Sequence, residues 1–266
     1  MTMTARLNAA MMCLGLAIAC GGSNGTPTAP PPSTGLPTGG ACGTLGSTVS
    51  LDILNGNECP TGTSAVVLLN MRDRDGFAAG ACSGTVISAR AILTAAHCLT
   101  GGVGSVRVWL GSGSEIVAES FTAHPAYTSG GSAVDVGVVL MAQPIGRTPI
   151  PLLLGRDARV GETAVIAGWG RNQNDVPATL RAGVTTITAA GSTLLETQFG
   201  ANVSSVCSGD SGGSILVSEG GVWAVAGVTS ATSANICNTG TNFYVAIRNT
   251  NVSSFVLGLV PDAARR

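Results

Sequence analysis

From about residue 42 to the C-terminus the chain repeats one pattern: short runs rich in Val, Ile and Thr alternate with clusters of Gly, Ser and Asn. The runs are SAVVLLN, GTVISARAIL, SVRVWL, VDVGVVLM, TAVIAGWG, GVTTIT, GSILVS, VWAVAGVT and FYVAI. β-Branched runs bounded by turn formers read as strands joined in hairpins and Greek keys. Few segments carry a helical period. The best lies near the end, where Asn251 is placed to cap a turn through Ser253, Phe255, Val256 and Leu257. The pattern predicts an all-β domain of roughly 210 residues with a short C-terminal helix, a size common among two-barrel β proteins. The 38 glycines and the 10% of charged residues suit such a turn-rich chain.

Charge narrows the partners. A net charge of −1 with only 13 Lys and Arg lacks the clustered cations that nucleic acid requires. No interior stretch reaches the ~18 consecutive apolar residues of a spanning helix. The N-terminus is different. Arg6 precedes the apolar run AAMMCLGLAIA, which ends at Cys20. Residues 1–19 therefore read as a signal peptide, and the chain is expected to be exported. Ala17-Ile18-Ala19-Cys20 resembles a bacterial lipobox, with Ala17 in place of the usual leucine; ordinary signal cleavage near Ala19 is the alternative. On the lipobox reading Cys20 carries lipid. Residues 20–41 are then a tether whose Gly, Pro, Ser and Thr build no core. Gly21, in place of an aspartate, points to the outer membrane of a Gram-negative host or another cell surface; without lipid the protein is secreted.

Of eight cysteines, Cys13 leaves with the signal peptide and Cys20 is the lipid acceptor. The remainder are Cys42, Cys59, Cys82, Cys98, Cys207 and Cys237, an even set that in an exported protein implies disulfides, with fifteen possible pairings.

Residues 209–213 read GDSGG. A serine hydroxyl is a poor nucleophile at neutral pH unless a base removes its proton. Only two histidines are available. His124, followed by proline, reads as a turn residue, whereas His97 in LTAAHCLTGG is the better base. An orienting acid should be buried, and Asp135 is the carboxylate set in a strongly apolar stretch, SAVDVGVVLM. An unpaired carboxylate there is costly, and a histidine N–H relieves much of that cost.

TAAHC, DVGVVLM and GDSGG, in that order, resemble the three signatures of trypsin-like (chymotrypsin-family) serine proteases, here of a bacterial lipoprotein type. GWG at Gly168–Gly170, HPAY and SATSANIC fall in register with secondary marks of that family, and the likeness runs from about Ile53 to the C-terminus. It implies two six-stranded Greek-key β-barrels with the active site between them. It also implies Ser211 as nucleophile, His97 as general base, Asp135 as orienting acid, and the amides of Gly209 and Ser211 as oxyanion hole. The pairings it implies are Cys82–Cys98 and Cys207–Cys237, and with them Cys42–Cys59.

Ile53-Leu54-Asn55-Gly56 resembles the family's IVGG start, so residues 42–52 are expected to be a short pro-segment and 53–266 the peptidase domain. Cleavage before Ile53 would free an ammonium group to pair with Asp210; an unprocessed strand start is the alternative. The preceding residue is Asp52, so an activator cutting after Lys or Arg does not fit, and the activating protease stays unidentified. The alignment places Ser205 at the base of the specificity pocket, Thr232 and Asn242 on its walls, and Ser230 against substrate backbone. With no acid at the base, cleavage is expected after small or medium uncharged residues. No cofactor, calcium or zinc is expected: Glu115 and Glu119 stand alone in a shortened loop, and no HExxH or zinc spacing occurs. The expected partners are a polypeptide substrate and the activating protease, with the chain a monomer and any membrane contact made through the lipid. A non-catalytic surface binding protein on the same scaffold is the competing reading.

Overall fold

The computed structural model describes residues 40–45, 57–129, 133–171, 179–200, 203–234, 237 and 239–266. The chain divides at Pro32–Ser33, and all described residues belong to the second unit. The expected signal peptide, Cys20, the expected tether up to residue 39, and the expected processing point at Ile53 lie outside the described residues.

Among the described residues a four-residue helix α1 (Gly40–Gly43) precedes fourteen strands. The first sheet is built from β2 (Val66–Asp73), β3 (Ala78–Val86), β4 (Ala91–Thr94), β5 (Val103–Trp109), β6 (Ile116–Val117), β7 (Ser120–Ala123) and β8 (Gly137–Leu140), in the order β6-β5-β2-β3-β4-β8-β7. The second contains β1 (Asn57–Glu58), β9 (Thr163–Gly168), β10 (Arg181–Ala190), β11 (Leu194–Gln198), β12 (Ser214–Glu219), β13 (Val222–Thr232) and β14 (Thr241–Ala246). Its order is β1-β10-β11-β14-β13-β12-β9, and β10 also pairs with β9, which closes six strands into a ring with the two-residue β1 outside it. Each sheet thus holds the six expected strands plus one two-residue addition, β6 or β1.

Alternation governs the faces. Along β10 Thr185 and Ile187 point inward while Val184, Thr186 and Thr188 face solvent, the period of two that a half-buried strand requires. β2 is buried almost continuously from Val66 to Leu69, because one face fills its barrel and the other meets neighbouring structure. Fully enclosed residues include Leu69, Ile92 and Leu93 on first-barrel strands and Ile166, Tyr244 and Val245 on second-barrel strands.

The C-terminal helix α2 (Thr250–Leu259) forms where the sequence places it, but its cap is Asn249, not Asn251. The Asn249 side chain accepts from the Asn251 amide at 3.0 Å, which satisfies one of the free N–H groups of the first turn. Asn251 instead offers its carbonyl to His124 Nε2 at 3.3 Å, and His124 Nδ1 accepts from the Ala126 amide at 3.2 Å. The His124 ring also packs on Phe255 at 4.8 Å, so this histidine docks the helix, a structural role in keeping with its turn sequence. Among the described residues no helix is long and apolar enough to cross a membrane.

Candidate active site

The two barrels deliver different groups to one cleft. His97 lies on a 3₁₀ turn, Ala96–Leu99, two residues after β4, and Asp135 lies two residues before β8. β4 and β8 are paired, with Thr94 opposite Gly137, and this adjacency brings the imidazole to the carboxylate. His97 Nδ1 and Asp135 Oδ2 are 2.8 Å apart, and the His97 amide donates to Asp135 Oδ1 at 2.9 Å. Ser230, on β13 of the other barrel, donates to Asp135 Oδ2 at 2.6 Å. Asp135 is 3% exposed and His97 31%, so the acid is sealed beneath a base that still reaches solvent. Burial alone would raise the Asp135 carboxyl; the bond with His97, its charge and the Ser230 hydroxyl outweigh that, and hold it below its ordinary range.

Ser211 belongs to the loop that leads into β12. It lines a cavity of about 260 Å³ together with His97, Cys82, Cys98 and Gly101. A second cavity, of about 300 Å³, starts at Gly209 and runs past Trp169, Leu68 and Asn70. Gly209 has φ +96°, a left-handed conformation that disfavours any side chain, and an added Cβ would approach Gly170 Cα to 3.0 Å. Among the described residues, neither the Gly209 nor the Ser211 amide meets an acceptor within the chain, while both carbonyls do. Two N–H donors, on the partly buried Gly209 and on Ser211 itself, are therefore left for a ligand beside the serine, the arrangement that stabilises a developing oxyanion.

Asp210, between them, is fully buried. Its Oδ1 accepts from the Gly170 amide at 2.7 Å and its Oδ2 from the Cys207 amide at 2.8 Å. Burial pushes its pKa from 3.8 up to about 6, against the two amide bonds and the charge of Arg181, which favour ionisation. Arg181 is itself buried and donates to the Gly170 carbonyl at 3.4 Å and to Glu58 Oε1 at 3.0 Å. The GWG turn acquires its reason here. A methyl group at Gly168 would overlap Asp210 Oδ1, and one at Gly170 would lie 2.5 to 2.7 Å from the carboxyl atoms.

The residues aligned with a specificity pocket divide. Ser205 and Asn242 are buried and bonded to each other, Ser205 Oγ donating to Asn242 Oδ1 at 3.2 Å. Asn242 Nδ2 donates in turn to Thr197 Oγ1 at 3.0 Å, which is 3.0 Å from the Tyr244 hydroxyl. Thr232 is exposed and donates to the Ala234 carbonyl at 2.7 Å. Disulfides join Cys42 to Cys59, Cys82 to Cys98 and Cys207 to Cys237. Cys82 and Cys98 approach His97, but their sulfurs are spent on each other and offer no thiolate to a metal. Glu115 lies 3.9 Å from both Arg72 and Arg107, and Glu119 pairs with Arg90 at 2.9 Å. Ser83, Thr197, Tyr244 and Arg181 join the site without being marked in the sequence. Their positions carry no motif, and their roles arise from contacts distant in sequence.

Fold and cleft define a class: double β-barrel proteins with an imidazole–carboxylate pair from one barrel facing a serine loop from the other. The Trypsin family model matches residues 53–256, and the chain belongs to this family of serine peptidases. It is 30% identical over 212 residues to phenoloxidase-activating factor 3 of Holotrichia diomphalia, a match covering 63% of this chain and 60% of that one. It is 28% identical over 230 residues to fibrinolytic enzyme isozyme C of Lumbricus rubellus, covering 74% and 94%. The chain spans only part of some relatives, 55% in the case of phenoloxidase-activating enzyme 1 of Spodoptera litura. Among solved structures, HL collagenase superposes with a TM-score of 0.67 at 22% identity, over 79% of this chain and 99% of that one, which shows the shared fold.

Proposed function

We propose that the chain is an exported serine endopeptidase that hydrolyses peptide bonds through an acyl-enzyme. Ser211 Oγ attacks the scissile carbonyl while His97 Nε2 takes its proton. The imidazolium is stabilised by Asp135 and returns the proton to the leaving amine. The amides of Gly209 and Ser211 hold the oxyanion, and water then releases the acyl group by the same steps in reverse roles. The observation that carries this reading is the 2.8 Å His97–Asp135 contact in a cleft that Ser211 also lines.

The substrate side chain before the cut is small or medium and uncharged. A buried serine and asparagine, bonded to each other, offer no carboxylate to a lysine or arginine. Ser230 aligns the substrate backbone. Processing before Ile53 supplies an ammonium partner to Asp210, whose buried carboxyl otherwise holds its proton to about pH 6. Cys42–Cys59 keeps the pro-segment attached across that cut. Lipid on Cys20 anchors the enzyme to the outer membrane or cell surface of a bacterium.

The test is labelling with a fluorophosphonate probe before and after limited proteolysis. Ser211 is expected to react in the processed chain, Ser211→Ala to abolish the label, and sequencing of the reactive form to find Ile53 at the terminus. Full labelling of a wholly uncut chain rejects the processing scheme. No labelling of the processed chain rejects the enzyme.

A further inference from the structure

The oxyanion donors belong to peptide planes, and those planes need fixing. In a trans peptide the N–H points opposite to the C=O, so anchoring the carbonyl aims the amide. The plane ending in the Gly209 N–H has its carbonyl, that of Ser208, held by the Arg171 amide at 2.9 Å. The plane ending in the Ser211 N–H has its carbonyl, that of Asp210, held by the Gly213 amide at 2.9 Å. The plane between them, Gly209–Asp210, is the pivot. Its N–H donates to the Cys207 carbonyl at 3.0 Å, and its carbonyl accepts from Ser83 Oγ at 2.9 Å.

Ser83 is wholly buried on β3, in the other barrel, and every polar atom it owns is engaged. Its hydroxyl accepts from the Trp169 amide at 2.8 Å while donating to Gly209, its amide donates to the Ser211 carbonyl at 2.8 Å, and its carbonyl accepts from Thr94 Oγ1 at 2.8 Å. A glycine at φ +96° has no Cβ to resist rotation of its flanking planes, so outside contacts set how the two sit: the Arg171 amide for the plane that carries its N–H, and Ser83 for the plane that carries its carbonyl. We infer that Ser83 is a positioning residue for the oxyanion hole: its hydroxyl locks the Gly209–Asp210 plane, the joint between the two donor planes, and so keeps the Gly209 and Ser211 amides turned into the cleft together. The inference rests on the proposed peptidase reading.

The experiment uses the processed full chain and compares Ser83→Ala and Ser83→Gly with the unmodified protein. Loss of a direct oxyanion donor costs about 100- to 1000-fold in kcat, so loss of a clamp acting through one plane is expected to cost about tenfold. KM should stay within about twofold, because ground-state contacts are untouched. The decisive readout is a ratio of inhibition constants for a short peptide ending in alaninal, which forms a tetrahedral adduct, and the same peptide ending in alaninol, which does not. The aldehyde should lose about the same factor as kcat and the alcohol should not change. This ratio is independent of the fraction folded, so it stays valid if Ser83→Ala is poorly stable, and Ser83→Gly repeats it in a second background. An unchanged ratio, or a loss confined to KM or to melting temperature, overturns the clamp. An unmodified protein that neither turns over substrate nor labels overturns the peptidase reading itself.

Discussion

Gly170→Ala tests the packing of the buried carboxylate. Gly170 does not occupy the left-handed region, so alanine meets no backbone penalty, and the only cost is space. The new methyl would lie 2.5 to 2.7 Å from the three carboxyl atoms of Asp210. Asp210 is enclosed and can yield only by leaving the Gly170 and Cys207 amides, at 2.7 and 2.8 Å. Hydrogen bonds to a charged group are worth about 1.5–3 kcal/mol each, so the expected loss is about 3–5 kcal/mol. Asp210→Ala vacates the space that the methyl needs. The double variant should therefore be more stable than the sum of the singles by about 2 kcal/mol or more, within the range seen for residues in contact. Guanidinium unfolding with disulfides intact measures this, read through the fluorescence of Trp169, whose ring packs 5.3 Å from that of Trp109 beside the substitution. Additivity within about 0.5 kcal/mol would show that the glycine is not there to admit the carboxylate.

Asp210 also sets a pH dependence. Its folded pKa of about 6 lies above the ordinary 3.8, so the unfolded chain releases this proton first. Stability of the uncut chain from this group is full below about pH 4 and falls by about 3 kcal/mol as pH rises through 6. Asp210→Asn should flatten that slope in urea titrations across pH 4–7, and processing before Ile53 should remove it by providing a cation. Ser205→Asp alone should give no cleavage after arginine, since Asn242 closes the position; adding Thr232→Gly and Asn242→Gly should produce it, measured as arginyl against alanyl substrate turnover. Asn249→Ala should cost about 1 kcal/mol in the denaturation midpoint through loss of the cap, and Asn251→Ala much less.

The long strands were legible because their side chains state their environment: the apolar runs in TAVIAG and GSILVS are buried from Ala164 to Gly168 and from Ser214 to Val217, in β9 and β12. β7 and β11 were not, since SFTA and LLETQ are short and half-exposed and become strands by pairing with β8 and β14. The cap was misplaced by two residues because two asparagines flank one threonine and only the backbone turn decides between them. At the site, the motif residues were legible through their order in the chain. Ser83 was not, for a serine in a strand looks like any other until a carbonyl 126 residues away meets its hydroxyl. Arg181 was equally silent, a buried cation whose worth depends on a carboxylate folded next to it.

The cleft divides its chemistry between the barrels, and that division explains where the oriented polar contacts gather. On the proposed reading the base and its acid come from the first barrel, the nucleophile and the oxyanion donors from the second, so a small slip between barrels would separate them. Proton transfer needs heavy atoms within about 2.6–3.2 Å, a tolerance that non-directional apolar packing does not enforce. Directional bonds cross the boundary around the site. Ser230 reaches Asp135 at 2.6 Å, and the Thr85 and Ser214 hydroxyls meet at 2.6 Å. Trp169 Nε1 donates to the Val66 carbonyl at 3.2 Å, and Ser83 holds the Gly209 and Ser211 carbonyls of the serine loop. The Thr85–Ser214 and Trp169–Val66 bonds are buried, so breaking either leaves an unsatisfied group at a cost of about 1–3 kcal/mol, and water cannot replace it without opening the boundary; the bonds of the Ser230 and Ser83 hydroxyls are partly buried. The same contacts that dock the barrels therefore fix the register of the reacting atoms, and substitutions there should reduce turnover at temperatures where each barrel is still folded.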